Sequence, residues 1–267
     1  MGAHFVAGSV AGVVSDAITH PVDTVRANLQ HQRGVGPGLR YRSTLHAFRS
    51  LLREGGLYRG FSVVALTTVP AHGLYFAGYE WGRSSFLSLF PGHEFAAGMA
   101  GGLLADVAGS LVWVPNDVVK QRVQLQADRS SWAAARRVLA EEGVRGFYRG
   151  LGASLGTYGP FVSIYFACYE KFKHAFADRE AVMTQVACGS AAAMLASGLT
   201  NPVDVVKTRV QVGRETAGVV LRRMLREEGV RAFGKGMVAR MSWITPSCAI
   251  GIVVYEQMKS LMGMEAI

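Results

Sequence analysis

One short pattern, Pro-x-Asp-x-x-[Arg/Lys], is written three times in this chain and constrains its fold more than any other feature. It appears as Pro21, Asp23, Arg26, then as Pro115, Asp117, Lys120, then as Pro202, Asp204, Lys207. A glutamine stands four residues after each cation (Gln30, Gln124, Gln211), and the prolines lie 94 and 87 residues apart. A second phrase closes each unit: Tyr79-Glu80 with Arg83, Tyr169-Glu170 with Lys173, and Tyr255-Glu256 with Lys259. Ten residues before each of these glutamates lies a further proline, Pro70, Pro160 or Pro246. Such a period marks an architecture whose units bury their apolar surface only against one another. Three repeats, roughly 1–90, 91–179 and 180–267, therefore make one domain.

Composition then decides the solvent. Half of the residues are hydrophobic and only 18% are charged, too apolar for disorder and high for a soluble enzyme. The segments Gly60–Tyr79, Leu151–Tyr169 and Ala181–Val203 contain no Asp, Glu, Lys or Arg. His4–Val22 and Phe95–Asn116 each hold one internal aspartate, Asp16 and Asp106, and Gly236–Tyr255 holds Arg240. Each is about as long as the roughly 20 residues that a spanning helix needs. Glycines four apart (Gly8/Gly12, Gly98/Gly102, Gly152/Gly156) predict close helix packing in lipid. A soluble helical solenoid is the alternative, but its helices would not be apolar over whole turns on nearly every face. The expectation is an all-α membrane protein with six transmembrane helices in three pseudo-symmetric repeats.

Between the two phrases of each repeat runs an amphipathic stretch: "STLHAFRSLLREGG", "SSWAAARRVLAEEG" and "ETAGVVLRRMLREEG". These predict short helices with basic outer faces, ending at Arg59-Gly60, Arg149-Gly150 and Lys235-Gly236. The net charge of +9 points to anionic lipid or solutes. Nucleic acid is not expected, because the cations are spread over these faces and the repeated phrases rather than gathered in one patch. Neither a phosphate-binding Gly-rich loop nor an HExxH or GxSxG motif occurs, so no enzyme is expected, and no cofactor. Cys168, Cys188 and Cys248 lack CxxC spacing and read as buried thiols. The opening "MGAHFVAGSVAGVVS" has no basic leader region, so targeting is expected to be internal unless the chain given starts late.

Charges inside a membrane must face the bundle interior and find partners. Proline kinks at Pro21, Pro115 and Pro202 would converge three helices so that Asp23, Asp117 and Asp204 meet the cations of their neighbours. At the other end, Glu80, Glu170 and Glu256 can pair with Arg83, Lys173 and Lys259. Two such rings, never open together, would make a transporter. Structural salt bridges alone, or a membrane adaptor that does not transport, are the competing readings.

The triplicated phrases, with the intervening Glu-Gly and [Arg/Lys]-Gly turns, resemble the mitochondrial carrier family over the whole chain. The resemblance implies six transmembrane helices, three short matrix helices, an inner-membrane location, cardiolipin at the matrix rim and a functional monomer. It implies matrix gate pairs Asp23–Lys120, Asp117–Lys207 and Asp204–Arg26, braced by Gln30, Gln124 and Gln211. It implies cytoplasmic gate pairs Glu80–Lys173, Glu170–Lys259 and Glu256–Arg83, braced by Tyr79, Tyr169 and Tyr255. The chain departs from the pattern at Asn28, where a second basic residue is usual, and at Gly234, where an aromatic is usual. Its first turn, "EGGLYRG", is two residues short.

By the same resemblance, solute contacts fall midway along the even helices, at Thr67, at Thr157 and Tyr158, and at Trp243 and Ile244. Arg240 lies about 60° from Trp243 around an ideal helix, on the same face. Asp16 stands five residues before Pro21, where Ser110 and Ser197 stand in the other repeats. Wording on the even helices is similar to iron carriers of the family and makes iron(II) or another divalent metal ion the leading solute. His72 is then a candidate ligand for the transported ion, level by repeat symmetry with Val162 and Cys248. His72 also lies about 80° from Glu80 and about 140° from Thr67, which leaves a helix-interface position open to it. The iron carriers' own histidine and methionine positions fall on Asp16 and Thr157. Other wording is similar to S-adenosylmethionine carriers: Arg240 would take a carboxylate, Asp16 an amine or sulfonium, and Trp243 or Tyr158 an adenine face.

Overall fold

The computed structural model describes residues 2–32, 40–125, 128–176, 181–213 and 215–261. Repeat one is built of α1 (Gly2–His31), α2 (Thr44–Arg53) and α3 (Phe61–Leu89). Repeat two holds α4 (Glu94–Gln124), α5 (Ser131–Glu142), the single turn α6 (Val144–Phe147) and α7 (Leu151–Lys173). Repeat three holds α8 (Val182–Leu199), α9 (Asn201–Val212), α10 (Ala217–Arg223) and α11 (Met237–Leu261). The described residues contain no strand, and the all-α expectation holds. Four stretches among them, Phe61–Leu89, Ala96–Gln124, Val182–Leu199 and Val230–Met258, are long and apolar enough to cross a membrane. The other two long helices are more polar. Asp16, Asp23 and Arg26 interrupt α1, and α7 ends on Glu170, Lys171 and Lys173.

The three prolines act differently. Pro21 and Pro115 sit inside unbroken helices. Pro202 instead opens α9 after a break at Thr200, whose hydroxyl returns to the Ala196 carbonyl at 2.7 Å. A proline in the first turn costs no helical donor, because that N–H would be unpaired anyway.

The short helices begin where their sequences can cap them. Ser43 accepts from the His46 N–H and Ser130 from the Ala133 N–H, each at 3.2 Å. The third has no such side-chain cap at Thr216, and its helical run passes into a π-helical turn at Met224–Glu228.

α3 packs along α4, α7 along α8, and α11 along α1, which closes the repeats into a ring. The turn glycines make that closure possible. Gly150 and Gly236 have φ of 79° and 70°, and a Cβ on either would lie 2.8 Å from Cγ of a brace glutamine in the following repeat, Gln211 or Gln30. Only glycine meets both demands.

Of the expected close-packing glycines only Gly8 and Gly12 meet a neighbour, a Cβ there lying 3.7 Å from Phe76 and 3.0 Å from His72. A Cβ on Gly98, Gly102, Gly152 or Gly156 would meet nothing within 4 Å, because these faces look onto open space. Backbone contact falls instead on the α3–α4 seam. There a Cβ on Gly78 would stand 2.8 Å from the Leu104 carbonyl, and one on Gly101 would stand 2.8 Å from the Tyr79 carbonyl.

Candidate functional site: a cavity above a ring of acid–base pairs

The proline-bearing segments of α1, α4 and α9 carry the repeated aspartates to one place. Lys120 Nζ lies 3.1 Å from Asp23, Lys207 Nζ 2.9 Å from Asp117, and Arg26 Nη1 2.8 Å from Asp204. Each pair joins neighbouring repeats. Two cations also turn back within their own helix, Arg26 to Asp23 at 2.7 Å and Lys120 to Asp117 at 3.7 Å. The result is one connected network. It is not uniform: the Asp23 side chain is 3% exposed, whereas Asp117 and Lys207 are 19% and 20% exposed.

The glutamines divide in role. Gln30 donates to Asp204 at 2.8 Å and Gln124 to Asp23 at 3.1 Å. Gln211 does not reach Asp117. Its amide donates to Ser154 at 3.1 Å and its carbonyl receives Gln121 at 2.6 Å, so the wettest pair is also the one without a glutamine.

Outside the ring, Arg209 donates to the backbone carbonyls of Gln30 (3.0 Å) and Gln32 (3.1 Å) while it pairs with Glu228. Lys235 pairs with the same glutamate and reaches the Gln32 carbonyl at 3.0 Å, so repeat three clasps repeat one. Burial would raise the Glu228 carboxyl, but hydrogen bonds from Arg209 and Lys235 outweigh it and hold the group below its ordinary value. In repeat two, Arg122 and Arg149 share Glu142, and Arg149 reaches the Gly213 carbonyl of repeat three at 2.6 Å. Repeat one has Asn28 instead, whose amide donates to the Gln124 carbonyl at 3.1 Å. Its Glu54 pairs at the surface with Arg40. The missing arginine thus replaces an ionic clasp with a single neutral hydrogen bond.

At the far end the picture is opposite. Tyr79, Glu80, Arg83 and Glu170 are exposed, and the expected Glu80–Lys173 pair is not formed among the described residues. Lys173 Nζ stands 5.6 Å over the Tyr169 ring. Tyr255 and Glu256 are half-buried, and the Lys259 side chain lies outside the described part of the structure.

Between the two ends is a cavity of about 840 Å³ with the acid–base network at its foot. Tyr158, Trp243, Ile244, Asp16 and His72 line it. Thr67 does not: its hydroxyl is turned to the Val63 carbonyl at 2.7 Å, and Thr68, one residue on, takes its place in the wall. Thr157 lines the wall with its hydroxyl committed to the Ala153 carbonyl at 2.7 Å. Arg240 is held at the foot, 3.3 Å from Asp204 and 3.0 Å from the Ser197 carbonyl. The Arg26 guanidinium lies 4.5 Å over Trp243.

Thr68 joins two of the expected solute ligands. Its hydroxyl is 3.5 Å from Asp16, and its carbonyl is 2.8 Å from His72 Nδ1. A carbonyl only accepts, so Nδ1 is the donor in this contact. A Cβ on Gly12 would lie 3.0 Å from His72 Cε1, so the ring sits close against α1. Trp113, which the spacing arguments missed, stands among His72 (6.0 Å), Tyr75 (5.5 Å) and Tyr158 (6.5 Å). Among the described residues no three His, Cys, Asp or Glu side chains gather as a metal site.

Comparison with known proteins agrees with this architecture. A family model described as "Mitochondrial carrier protein" matches residues 1–89, 91–180 and 178–266. Mitochondrial substrate carrier family protein E of Dictyostelium discoideum is 39% identical, over 97% of this chain and 95% of its own length. Mitoferrin-1 of Danio rerio is 33% identical, covering 97% and 84%. S-adenosylmethionine carrier 1, chloroplastic/mitochondrial, of Arabidopsis thaliana is also 33% identical, covering 97% and 78%.

Proposed function

This chain belongs to the mitochondrial carrier family, as a multi-pass inner-membrane transporter, and on that premise we propose that it moves a small solute by alternating access between two charged gates. The observation that carries this reading is the connected Asp23–Lys120, Asp117–Lys207 and Asp204–Arg26 network under a cavity whose opposite end is exposed at Glu80 and Glu170. In this state the matrix gate is shut and the cavity faces the other side. Wet ion pairs are worth about 1 kcal/mol each. Three, two of them drier than the third, make a barrier that differential solute binding can overcome. Tyr79, Tyr169, Tyr255, Glu80, Arg83, Glu170, Lys173, Glu256 and Lys259 form the second gate when the first one opens. Cardiolipin at the matrix rim and a functional monomer belong to the same reading.

Two solutes compete. A divalent ion such as iron(II) is favoured by His72 and Asp16, an imidazole and a carboxylate that both line the cavity and both contact Thr68. The mitoferrin relatives agree with this reading. A small organic cation or zwitterion, as in the S-adenosylmethionine carrier relatives, is favoured by the size of the cavity and by its aromatic wall of Tyr75, Trp113 and Tyr158. The geometry supports the organic solute better, because no three His, Cys, Asp or Glu side chains gather among the described residues.

The test is a melting-temperature screen of the purified protein against Fe(II), Mn(II), S-adenosylmethionine, nucleotides and amino acids. A bound solute raises the midpoint. A rise with Fe(II) that His72→Ala abolishes would favour the metal. A rise with S-adenosylmethionine that Asp16→Asn abolishes would favour the organic cation.

A further inference from the structure

Asp106 is an intramembrane carboxylate that neither gate uses. It is half-buried on α4 and makes no hydrogen bond or ion pair among the described residues. Lys207 acts on it electrostatically without contact, and an ionisable group inside a membrane marks a functional position by default. Seven residues separate it from Trp113, which puts the two about 20° apart and roughly 10 Å along the same face of the helix. That face is the cavity face, since Trp113, Asp117 and Lys120 all line the cavity.

Its surroundings narrow the ligand. Asp106 is in electrostatic reach of the Tyr75 and Tyr158 hydroxyls, on α3 and α7. Those two rings flank Trp113 at 5.5 and 6.5 Å, so three helices supply three aromatic faces below one carboxylate. Gly102 and Gly98, about one and two turns nearer the mouth, have nothing within 4 Å of a Cβ position, so the approach along this stripe is clear. Aromatic faces attract cations that shed water cheaply, and a nearby carboxylate adds a full charge. Metal ions hold their water too strongly to exchange it for ring faces.

The geometry points to Asp106, Tyr75, Trp113 and Tyr158 as a cage for an organic cation (a sulfonium, quaternary ammonium or alkylated amine), set above Asp16 as the first of two stations on the solute's path. The inference rests on the organic-solute form of the transporter reading. It explains why an aspartate stands on α4 where the matching places in the other repeats hold Gly12 and Ala193.

The experiment uses the full chain in detergent and in proteoliposomes, with choline and its uncharged carbon isostere as probes. Tryptophan fluorescence and melting temperature report binding, and S-adenosylmethionine uptake reports transport. Choline should bind and its isostere should not. Asp106→Asn should weaken choline binding by about tenfold, the size of one lost carboxylate–cation attraction in a partly wet site. Asp106→Glu should keep most of the binding, which separates loss of charge from misfolding. Trp113→Phe should remove the fluorescence response. Equal binding of the isostere, or choline binding unchanged in Asp106→Asn, would overturn the cage. If wild type takes up S-adenosylmethionine and Asp106→Asn matches it in rate and affinity, the cage falls and the transporter reading stands. If wild type binds no organic cation yet accumulates Fe(II), the organic-solute reading falls with it.

Discussion

Gln30 donates its amide to the Asp204 oxygen that also receives Arg26, each at 2.8 Å, so one carboxylate oxygen ties two residues of repeat one to repeat three. The Gln30 carbonyl in turn receives Thr208 at 2.9 Å, and the side chain is fully buried. Gln30→Ala should therefore cost about 1–3 kcal/mol, the price of unsatisfied buried partners. Asp204→Ala should cost more, about 3–5 kcal/mol, because Arg240 loses its counter-charge and Arg26 keeps only Asp23. Melting in detergent checks the order; a Gln30→Ala midpoint equal to wild type would contradict it.

Glu228 gives a pH dependence. Its carboxyl is held below the ordinary glutamate value by Arg209 and Lys235. A lowered folded-state value means the stabilisation is fully present above about pH 4.3, the unfolded value, and is lost as pH falls through the folded value. Glu228→Gln should lower the melting temperature by a few degrees at neutral pH. The gap to wild type should close as the pH drops below about 4.

The α3–α4 seam predicts a contrast between glycines. Gly78→Ala drives a methyl to 2.8 Å from Ala108 Cβ and the Leu104 carbonyl, and should cost about 1–3 kcal/mol. Gly102→Ala meets open space and should be neutral or stabilising by about 0.5–1 kcal/mol. Thermal unfolding of the two variants side by side checks both signs.

The ring was legible in the sequence because its residues recur at fixed offsets, and threefold repetition turns an offset into a partner across the bundle. What repetition does not carry is the direction of a side chain. Thr67 and Thr68 are adjacent and chemically identical, and only the rotation of α3 decides that Thr68 meets Asp16. Gln211 follows the same offset as Gln30 and Gln124, yet finds Ser154, which has no counterpart in the other turns' contacts. Trp113 and the aromatic pair around it carry no repeated signature, because they belong to one repeat's solute wall. The far gate could not be read as shut or open from sequence, since the same residues serve both states.

The claim that the aspartate network is a gate is tested most directly by thiol accessibility in the cavity. Ser247→Cys, in a background where Cys168, Cys188 and Cys248 are replaced by serine, places one thiol in the cavity wall. A membrane-impermeant thiol reagent is applied to sealed vesicles from each face in turn, with and without Asp117→Lys, which puts a third cation beside Lys120 and Lys207. The account predicts labelling from the cytoplasmic face alone in the unreversed protein, and new labelling from the matrix face once Asp117 is reversed. Matrix-face labelling that is the same with and without the reversal would contradict it.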